Sequence, residues 1–245
     1  MRILITNDDG VNSIGINTLA DVLNEEHEVY VVAPSSQRSA AGHGISLGPI
    51  TYTRLSSGKY ALRISADATP ADCVKLAVLY FMKDRLPDLV ISGINEGANI
   101  GSEIIYSGTV SAALEGAYLG FPSIAVSNVN RDYTEGYEKV ARLIAENLER
   151  LADVDFPRHT ALNVNYPSME AKGIKITEIG INRYTDIYTE VGENTLVLGG
   201  LPDPSNMHEN TDVIQISKGY VTVSAVTLDK NDYNFLQQLR RKFVN

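Results

Sequence analysis

The stretch RILITNDDGVNSIGI (residues 2–16) changes from an apolar run to a helical spacing across a single polar turn. Residues 2–6 are typical of a buried strand, because they are short, apolar and rich in isoleucine and leucine. Apolar residues then recur at Ile16, Leu19 and Leu23, the spacing of one helix face. A strand that leads directly into a helix predicts the first half of a βαβ unit.

The same alternation continues along the first two thirds of the chain. Near-continuous apolar strands favour a parallel sheet that is covered by helices on both faces, and thus an α/β fold. Further strands are predicted at 27–34, 87–92, 122–128 and 159–167, and helices at 69–82, 109–120 and 137–151. The helix at 69–82 has a start signal, with Thr69 as N-cap, Pro70 as the first helical residue and Asp72 three positions after the cap.

Other segments break this alternation. A hairpin is predicted where 50–55 and 60–65 flank Ser-Ser-Gly-Lys, and a long glycine-rich loop at 93–108. After Gly173 the chain carries short β-like runs without long helices, followed by a helical tail at 232–243. The runs are 174–179, 187–191, 195–198, 213–217 and 220–226. We expect one domain over 1–245, with a β-hairpin appendage at about 180–210 and a C-terminal tail at about 228–245.

Charge and composition exclude several classes of function. The chain has 245 residues, with 21 basic and 30 acidic side chains and a net charge of −9. This acidic balance disfavours binding to nucleic acid duplexes, which needs a basic footprint, and binding to an anionic membrane surface. No apolar run of about eighteen residues and no signal-peptide pattern is present, and the single cysteine, Cys73, excludes an internal disulfide. We therefore expect a cytoplasmic protein.

Two adjacent carboxylates, Asp8 and Asp9, follow the first strand. An isolated Asp-Asp-Gly is more often a turn or a helix cap than a binding site. The alternative is a cation site, since carboxylate, amide and hydroxyl oxygens are the ligands that Mg²⁺, Mn²⁺ and Ca²⁺ prefer. Because successive strand side chains point to opposite faces, both could reach one ion only if the chain turns at Gly10.

The glycine-rich loop ends at Ser107, Gly108 and Thr109, directly where a helix is predicted to begin. Free backbone N–H groups and two hydroxyls at a helix start would form an anion-binding cup, although an ordinary capped loop would look the same. The loop lacks the Gly-Lys-Ser/Thr ending of a Walker loop, and its glycine spacing differs from the dinucleotide fingerprint. His43 and Arg38, in the loop after the second strand, are weaker candidates for contacts with a substrate.

These motifs together resemble one family, the SurE (survival protein E) metal-dependent nucleotide phosphatases. The matching segments are NDDGVNSIGI (7–16), APSSQRSAAGHGIS (33–46), TPADCV (69–74), SGINEGANIG (92–101) and YSGTVSAALEG (106–116). Two positions depart from the family pattern. Ala40 stands where a glycine usually follows the loop serine, and Ala-Val-Thr-Leu replaces the Thr-Pro-Leu that usually ends the last core strand. Neither departure removes a ligand atom.

The resemblance implies a Rossmann-like core with a protruding β-hairpin and a C-terminal segment that contributes to oligomer contacts, in a homodimer or a homotetramer. It implies hydrolysis of nucleoside 5′- or 3′-monophosphates with one divalent metal ion, Mg²⁺ or Mn²⁺, per subunit. Short polyphosphate stays open as a further substrate. By resemblance the metal ligands are Asp8, Asp9, Ser39 and Asn95, and the phosphate-binding residues are Asn99, Ser107, Gly108 and Thr109.

Asp8 and Asp9 are then the expected catalytic residues. The nucleophile stays open between direct attack by Asp8 and a water activated by the metal. Two other classes compete with a nucleotidase. A regulatory protein that binds nucleotides without catalysis would have little use for two carboxylates beside a phosphate unless a cation lay between them. An oxidoreductase with a dinucleotide cofactor is disfavoured, because the glycine fingerprint that binds such a cofactor is absent from the sequence.

Overall fold

A computed structural model describes residues 1–56, 58–130, 134–181, 183–184, 186–200, 202–203 and 207–243. Its strands are β1 Arg2–Thr6, β2 Glu28–Pro34, β3 Tyr52–Arg54, β4 Leu62–Ala66, β5 Leu89–Glu96, β6 Ser123–Asn128, β7 Thr160–Tyr166, β8 Ile174–Ile176, β9 Arg183–Tyr184, β10 Ile187–Gly192, β11 Thr195–Gly199, β12 Pro202–Asp203 and β13 Val221–Thr227. Its helices are α1 Ile14–Leu23, α2 Pro70–Leu76, α3 Gly108–Tyr118, α4 Thr134–Ala152, α5 Asp212–Ser217 and α6 Tyr233–Phe243.

Nine of the described strands form one sheet in the order β3-β4-β2-β1-β5-β6-β7-β13-β8. The pairs of β1 with β2 and β5, of β2 with β4, and of β6 with β5 and β7 are all parallel. Two pairs are antiparallel, β3 with β4 and β13 with β7. The predicted α/β fold with a mainly parallel sheet is therefore confirmed.

Helices cover both faces of this sheet. In β1 the side chains alternate, so Ile3 and Ile5 pack in one apolar cluster with α1 and α4, while Leu4 packs in a second cluster with α2. All three side chains are fully buried. An apolar strand such as RILIT thus supplies both layers of core, which is why its sequence shows no polar alternation.

The start of α2 has the predicted N-cap, Thr69, which forms a capping box with Asp72. The Thr69 hydroxyl accepts a hydrogen bond from the Asp72 backbone N–H at 3.1 Å, and the Asp72 carboxylate accepts one from the Thr69 backbone N–H at 3.2 Å. The predicted helix at 69–82 does not stay α-helical to its end, because its last turn, Ala77–Phe81, is a π-helix.

Two other predictions were wrong in part. The run at 213–217 lies in the helix α5 and not in a strand, because Val-Ile-Gln-Ile fits both periods when the segment is this short. The predicted loop at 93–108 begins as strand, since β5 continues to Glu96 across a bulge, and then contains a 3-10 helix at Gly101–Tyr106.

The predicted β-hairpin is present outside the main sheet. Strands β10 and β11 pair antiparallel in a sheet of their own, and all their side chains are exposed. The predicted helical tail is α6, in which no residue is buried and in which Tyr233, Phe235 and Phe243 are exposed. No helix in the described ranges combines the length and the apolar character needed to cross a membrane.

Candidate metal and phosphate site

The chain turns sharply after β1, as a shared site for both aspartates requires. Gly10 has a φ of +97°, in the region that favours glycine, and the Asn7 side-chain amide donates to the Gly10 carbonyl at 3.0 Å and to the Ser13 hydroxyl at 2.8 Å. Because of this turn, Asp8 and Asp9 lie between the carboxyl end of β1 and the start of α1, at the edge of a parallel sheet where ligands bind.

Asp8 is buried against the start of α3. The Thr109 hydroxyl donates to its Oδ1 at 2.5 Å, and an added Cβ at Gly108 would lie 2.9 Å from its Oδ2. Burial raises the pKa of Asp8 above its ordinary value, although the hydrogen bonds from Thr109 and Gly108 oppose that rise. In the described part of the chain, no ion pair includes Asp8. A buried carboxylate without a positive partner fits a site whose charge is balanced by a bound cation.

Asp9, which follows β1, is hydrogen-bonded to the end of the neighbouring strand β5, next to Asn95. The Glu96 backbone N–H donates to Asp9 Oδ2 at 3.0 Å, so the residue next to Asn95 is fixed to Asp9. The Asn95 amide nitrogen donates to the Gly97 carbonyl at 2.8 Å, and the amide oxygen is therefore the atom that this side chain could offer to a cation. The bulge between Ser92 and Asn95 shifts the register of β5 at this point.

Ser39 lies in the irregular segment between β2 and β3, which we name the 35–50 loop. The Arg38 backbone N–H donates to the Asp8 carbonyl at 2.7 Å, which places the residue next to Ser39 beside Asp8. The Ser39 hydroxyl accepts a hydrogen bond from the Gln37 side chain at 3.0 Å. Arg38 itself pairs through its guanidinium with Asp67. Ala40 has a φ of +57°, so it adopts the left-handed conformation that favours glycine.

Asn99 is held by two asparagines that the sequence analysis missed. Its backbone N–H donates to Asn165 Oδ1 at 2.8 Å, and its carbonyl accepts from the side chains of Asn163 and Asn165 at 2.8 and 3.0 Å. Its own amide nitrogen donates to the Ser127 hydroxyl at 2.8 Å. Asn163 and Asn165 are two positions apart on β7 and so share one face of the sheet. Two asparagines in an otherwise apolar strand are the signal that could have identified them.

Ser107 is the N-cap of α3, and Gly108 and Thr109 are its first two residues, so the predicted helix start is confirmed. The Ser107 hydroxyl caps the helix by accepting from the Val110 backbone N–H at 3.1 Å, and Thr109 is fully buried. The backbone N–H groups of Gly108 and Thr109 are directed at the Asp8 carboxylate, so a phosphate at the beginning of this helix would lie beside Asp8.

Another buried acid, Asp212, fixes the loop that carries Asn99. Its carboxylate accepts from the Gly101 backbone N–H at 2.9 Å and from the Gly180 backbone N–H at 2.8 Å. Asp212 is fully buried, and burial raises its pKa against the lowering effect of these hydrogen bonds. It therefore links the glycine-rich loop to the segment that leads into the hairpin.

The donor set suits a hard divalent cation. Asp8, Asp9, Ser39 and Asn95 offer two carboxylates, a hydroxyl and an amide oxygen, which match Mg²⁺ or Mn²⁺ better than Zn²⁺. Among the described residues there is no group of three or more His, Cys, Asp or Glu side chains that could hold a metal. An ion at this edge would consequently depend on the serine and the asparagine as well as on the two carboxylates.

Comparisons with known proteins give one consistent result. The model of the family "Survival protein SurE" matches residues 3–186. Two proteins named 5′-nucleotidase SurE, from Petrotoga mobilis and Clostridium botulinum, are 43% and 39% identical to the chain; the first match covers 98% of both chains and the second 100% of both. The crystal structure of a SurE protein from Aquifex aeolicus has a TM-score of 0.87 at 34% identity, over 99% of both chains.

Proposed function

The chain belongs to the SurE family, and on this premise we propose that it is a phosphomonoesterase that hydrolyses nucleoside monophosphates to nucleoside and phosphate. The relatives that match over nearly the whole chain are named 5′-nucleotidases, which favours the 5′-monophosphates as substrates. The observation that carries the proposal is the buried carboxylate of Asp8, which contacts the beginning of α3 and has no cationic partner among the described residues. A carboxylate repels a phosphate unless a cation lies between them, so this pairing favours metal-dependent phosphate chemistry.

We propose that Asp8, Asp9, Ser39 and Asn95 hold one divalent ion per subunit, Mg²⁺ or Mn²⁺. When bound, such an ion polarises a phosphoryl oxygen and lowers the pKa of a coordinated water. The protein prepares the ligands by hydrogen bonds. Thr109 fixes one Asp8 oxygen at 2.5 Å, and the Glu96 backbone N–H fixes one Asp9 oxygen at 3.0 Å. These hydrogen bonds fix the orientation of both carboxylates before an ion binds, and Asp8 and Asp9 are the proposed catalytic residues.

The phosphate itself is proposed to lie at the beginning of α3. The dipole of this helix stabilises the negative charge that the transferring phosphoryl group carries. Asn99 is proposed as a further contact of the phosphate, on a backbone that hydrogen bonds from Asn163 and Asn165 hold in place. A donor held in place before the reaction costs no reorganisation when the charge develops.

The test is phosphate release from a panel of nucleoside 5′- and 3′-monophosphates and short polyphosphate, with Mn²⁺ or Mg²⁺ and with chelator. We expect turnover that chelator abolishes, metal restores, and Asp8→Asn lowers strongly. Asp153→Asn, at an exposed position, is the matched control and should behave as wild type. Chelator-insensitive activity that is equal in wild type and Asp8→Asn would contradict the proposal. Stoichiometric nucleotide binding without turnover would support the regulatory alternative, and binding of a nicotinamide cofactor the oxidoreductase.

We further propose one domain over 1–245 in a cytoplasmic homodimer or homotetramer. The appendage at about 180–210 exposes apolar side chains on both of its strands, including Tyr188 and Val197, and α6 within the tail at about 228–245 exposes Phe235. Exposed apolar surface of this kind marks an interaction site, which favours the tail as an oligomer contact. Native mass spectrometry of wild type and Phe235→Asp tests this. We expect the variant to shift toward the monomer, and an unchanged assembly would exclude α6 from the contact.

A further inference from the structure

Glu115 is a buried acid near the far end of α3 that the proposed chemistry does not use. Its side chain is almost completely buried, and each of its oxygens has one partner from a different part of the chain. His43 Nε2 lies 2.8 Å from Oε2, and Lys75 Nζ donates to Oε1 at 2.8 Å. Burial would raise the pKa of Glu115, but the hydrogen bonds and charges of His43 and Lys75 outweigh it, and the pKa is lowered. Glu115 therefore favours a charged state that both partners stabilise.

The two partners of Glu115 differ in what they connect. Lys75 belongs to α2, so its bond joins two helices of the core. His43 belongs to the 35–50 loop, four residues after Ser39, so its bond joins the loop to α3. The loop is tied to the same region at Gly42, whose N–H donates to the Tyr106 carbonyl at 3.1 Å, just before α3 begins.

The helix α3 consequently contacts two parts of the proposed metal site, Asp8 and the loop that carries Ser39. At its start Thr109 donates to Asp8, and two turns later Glu115 contacts the loop that carries Ser39. The loop has no regular secondary structure of its own, so its conformation depends on such tethers. Ala40, directly after Ser39, adds a backbone conformation that a residue with a Cβ adopts only at a cost.

We propose that His43 and Glu115 are positioning residues that hold the 35–50 loop, and with it Ser39, at the metal site. The inference rests on the proposed function, because it takes Ser39 as a ligand of the divalent ion. A residue that orients a ligand from behind typically changes metal affinity about 10- to 100-fold when it is replaced. The bond from Lys75 to the same carboxylate has no connection to the loop and supplies the matched control.

The experiment measures Mn²⁺ binding by titration calorimetry on the full chain, with His43→Ala and Lys75→Met compared with wild type. Each variant removes one partner of Glu115, and urea denaturation verifies that both remain folded. We expect His43→Ala to weaken Mn²⁺ binding about tenfold, while Lys75→Met binds close to wild type. Amide hydrogen exchange should become faster across 37–46 in His43→Ala alone.

Ser39→Ala separates this inference from the proposed ligand set. If Ser39 is a ligand and His43 acts through it, the double variant Ser39→Ala/His43→Ala should bind Mn²⁺ no more weakly than Ser39→Ala. Unchanged Mn²⁺ affinity in Ser39→Ala would contradict the proposed ligand set. The Mn²⁺ affinity of His43→Ala would then decide separately whether His43 holds the loop at the metal site. Wild-type affinity in His43→Ala, or an equal loss in Lys75→Met, would overturn the positioning role.

Discussion

Replacement of Gly108 by alanine tests how closely the start of α3 is fitted to Asp8. An added Cβ would lie 2.9 Å from both Cβ and Oδ2 of Asp8 and 3.1 Å from Cγ of Pro70. Ordinary contacts of a Cβ begin at 3.4 Å, so the Asp8 carboxylate must move away by at least about half an ångström. The backbone at Gly108 is helical, so alanine meets no conformational barrier there.

We expect Gly108→Ala to lower kcat/KM more than it lowers the free energy of unfolding. A displacement of about 1 Å in a catalytic group costs about 100-fold in rate, so half of that displacement corresponds to at least about tenfold. We therefore expect kcat/KM to fall about 10- to 100-fold, a loss of about 1.4 to 2.7 kcal/mol of transition-state stabilisation. Overpacking costs about 1–3 kcal/mol of folding stability, but alanine regains up to about 1 kcal/mol of helix propensity over glycine. The free energy of unfolding should therefore change by no more than about 2 kcal/mol.

The assay is metal-supported phosphate release, read together with urea denaturation. Gly116→Ala is the matched control, because it adds a Cβ to the same helix that would lie 2.5 Å from the Ser123 hydroxyl, away from Asp8. It should lose stability and keep the kcat/KM of the folded protein. Wild-type kcat/KM in Gly108→Ala, or an equal loss in Gly116→Ala, would refute the reasoning.

Three further changes have defined outcomes. Thr109→Val removes the hydroxyl that donates to Asp8. Loss of a hydrogen bond to a charged group costs about 1.5–3 kcal/mol, so we expect kcat/KM to decrease about 10- to 100-fold. Thr109→Ser keeps the hydroxyl and should retain most of the wild-type kcat/KM. Ala40→Gly relieves about 1–2 kcal/mol of left-handed strain but gives back about 0.4–1 kcal/mol through the unfolded chain, so urea denaturation should show a small gain in stability, whereas a loss would contradict the strain. Asp212 has a raised pKa in the folded state, so its contribution to stability is complete below the ordinary Asp value of about 3.9 and is lost as pH rises through the raised value. The stability of wild type relative to Asp212→Asn should consequently decline as pH rises above about 4 in a series of urea denaturations, and a difference that rises with pH would contradict the assignment.

The sequence predicts the parallel core well because its strands are buried on both faces. RILIT at 2–6 is apolar at its three central positions, and the structure places the alternate side chains of these residues in two separate clusters. The direction of the last strand cannot be predicted in this way. Val221–Thr227 is visible as a strand, but nothing in its residues specifies that it runs antiparallel to Thr160–Tyr166. Such pairing depends on the path of the chain between the strands.

In the candidate site, too, some residues can be predicted from the sequence and others cannot. Asp8, Asp9, Ser39 and Asn95 belong to local motifs, and the ends of the parallel strands bring those motifs to one edge. Their supports come from distant positions. Asn165 contacts Asn99 across 66 residues of chain, and Glu115 contacts His43 across 72. A single sequence carries no record of such pairs, so those supports become visible only in three dimensions.

The strand β13 is the last strand of the sheet to be synthesised, although it lies between β7 and β8. The strand Val221–Thr227 lies between β7 and β8, so the strand that carries Asn163 and Asn165 has a free edge until residue 227 exists. The nascent chain therefore contains every proposed ligand long before the asparagines that support Asn99 gain their neighbour. A free strand edge also invites pairing between chains. A fragment that ends at residue 186, the limit of the matched family region, would keep the proposed ligands and expose that edge permanently.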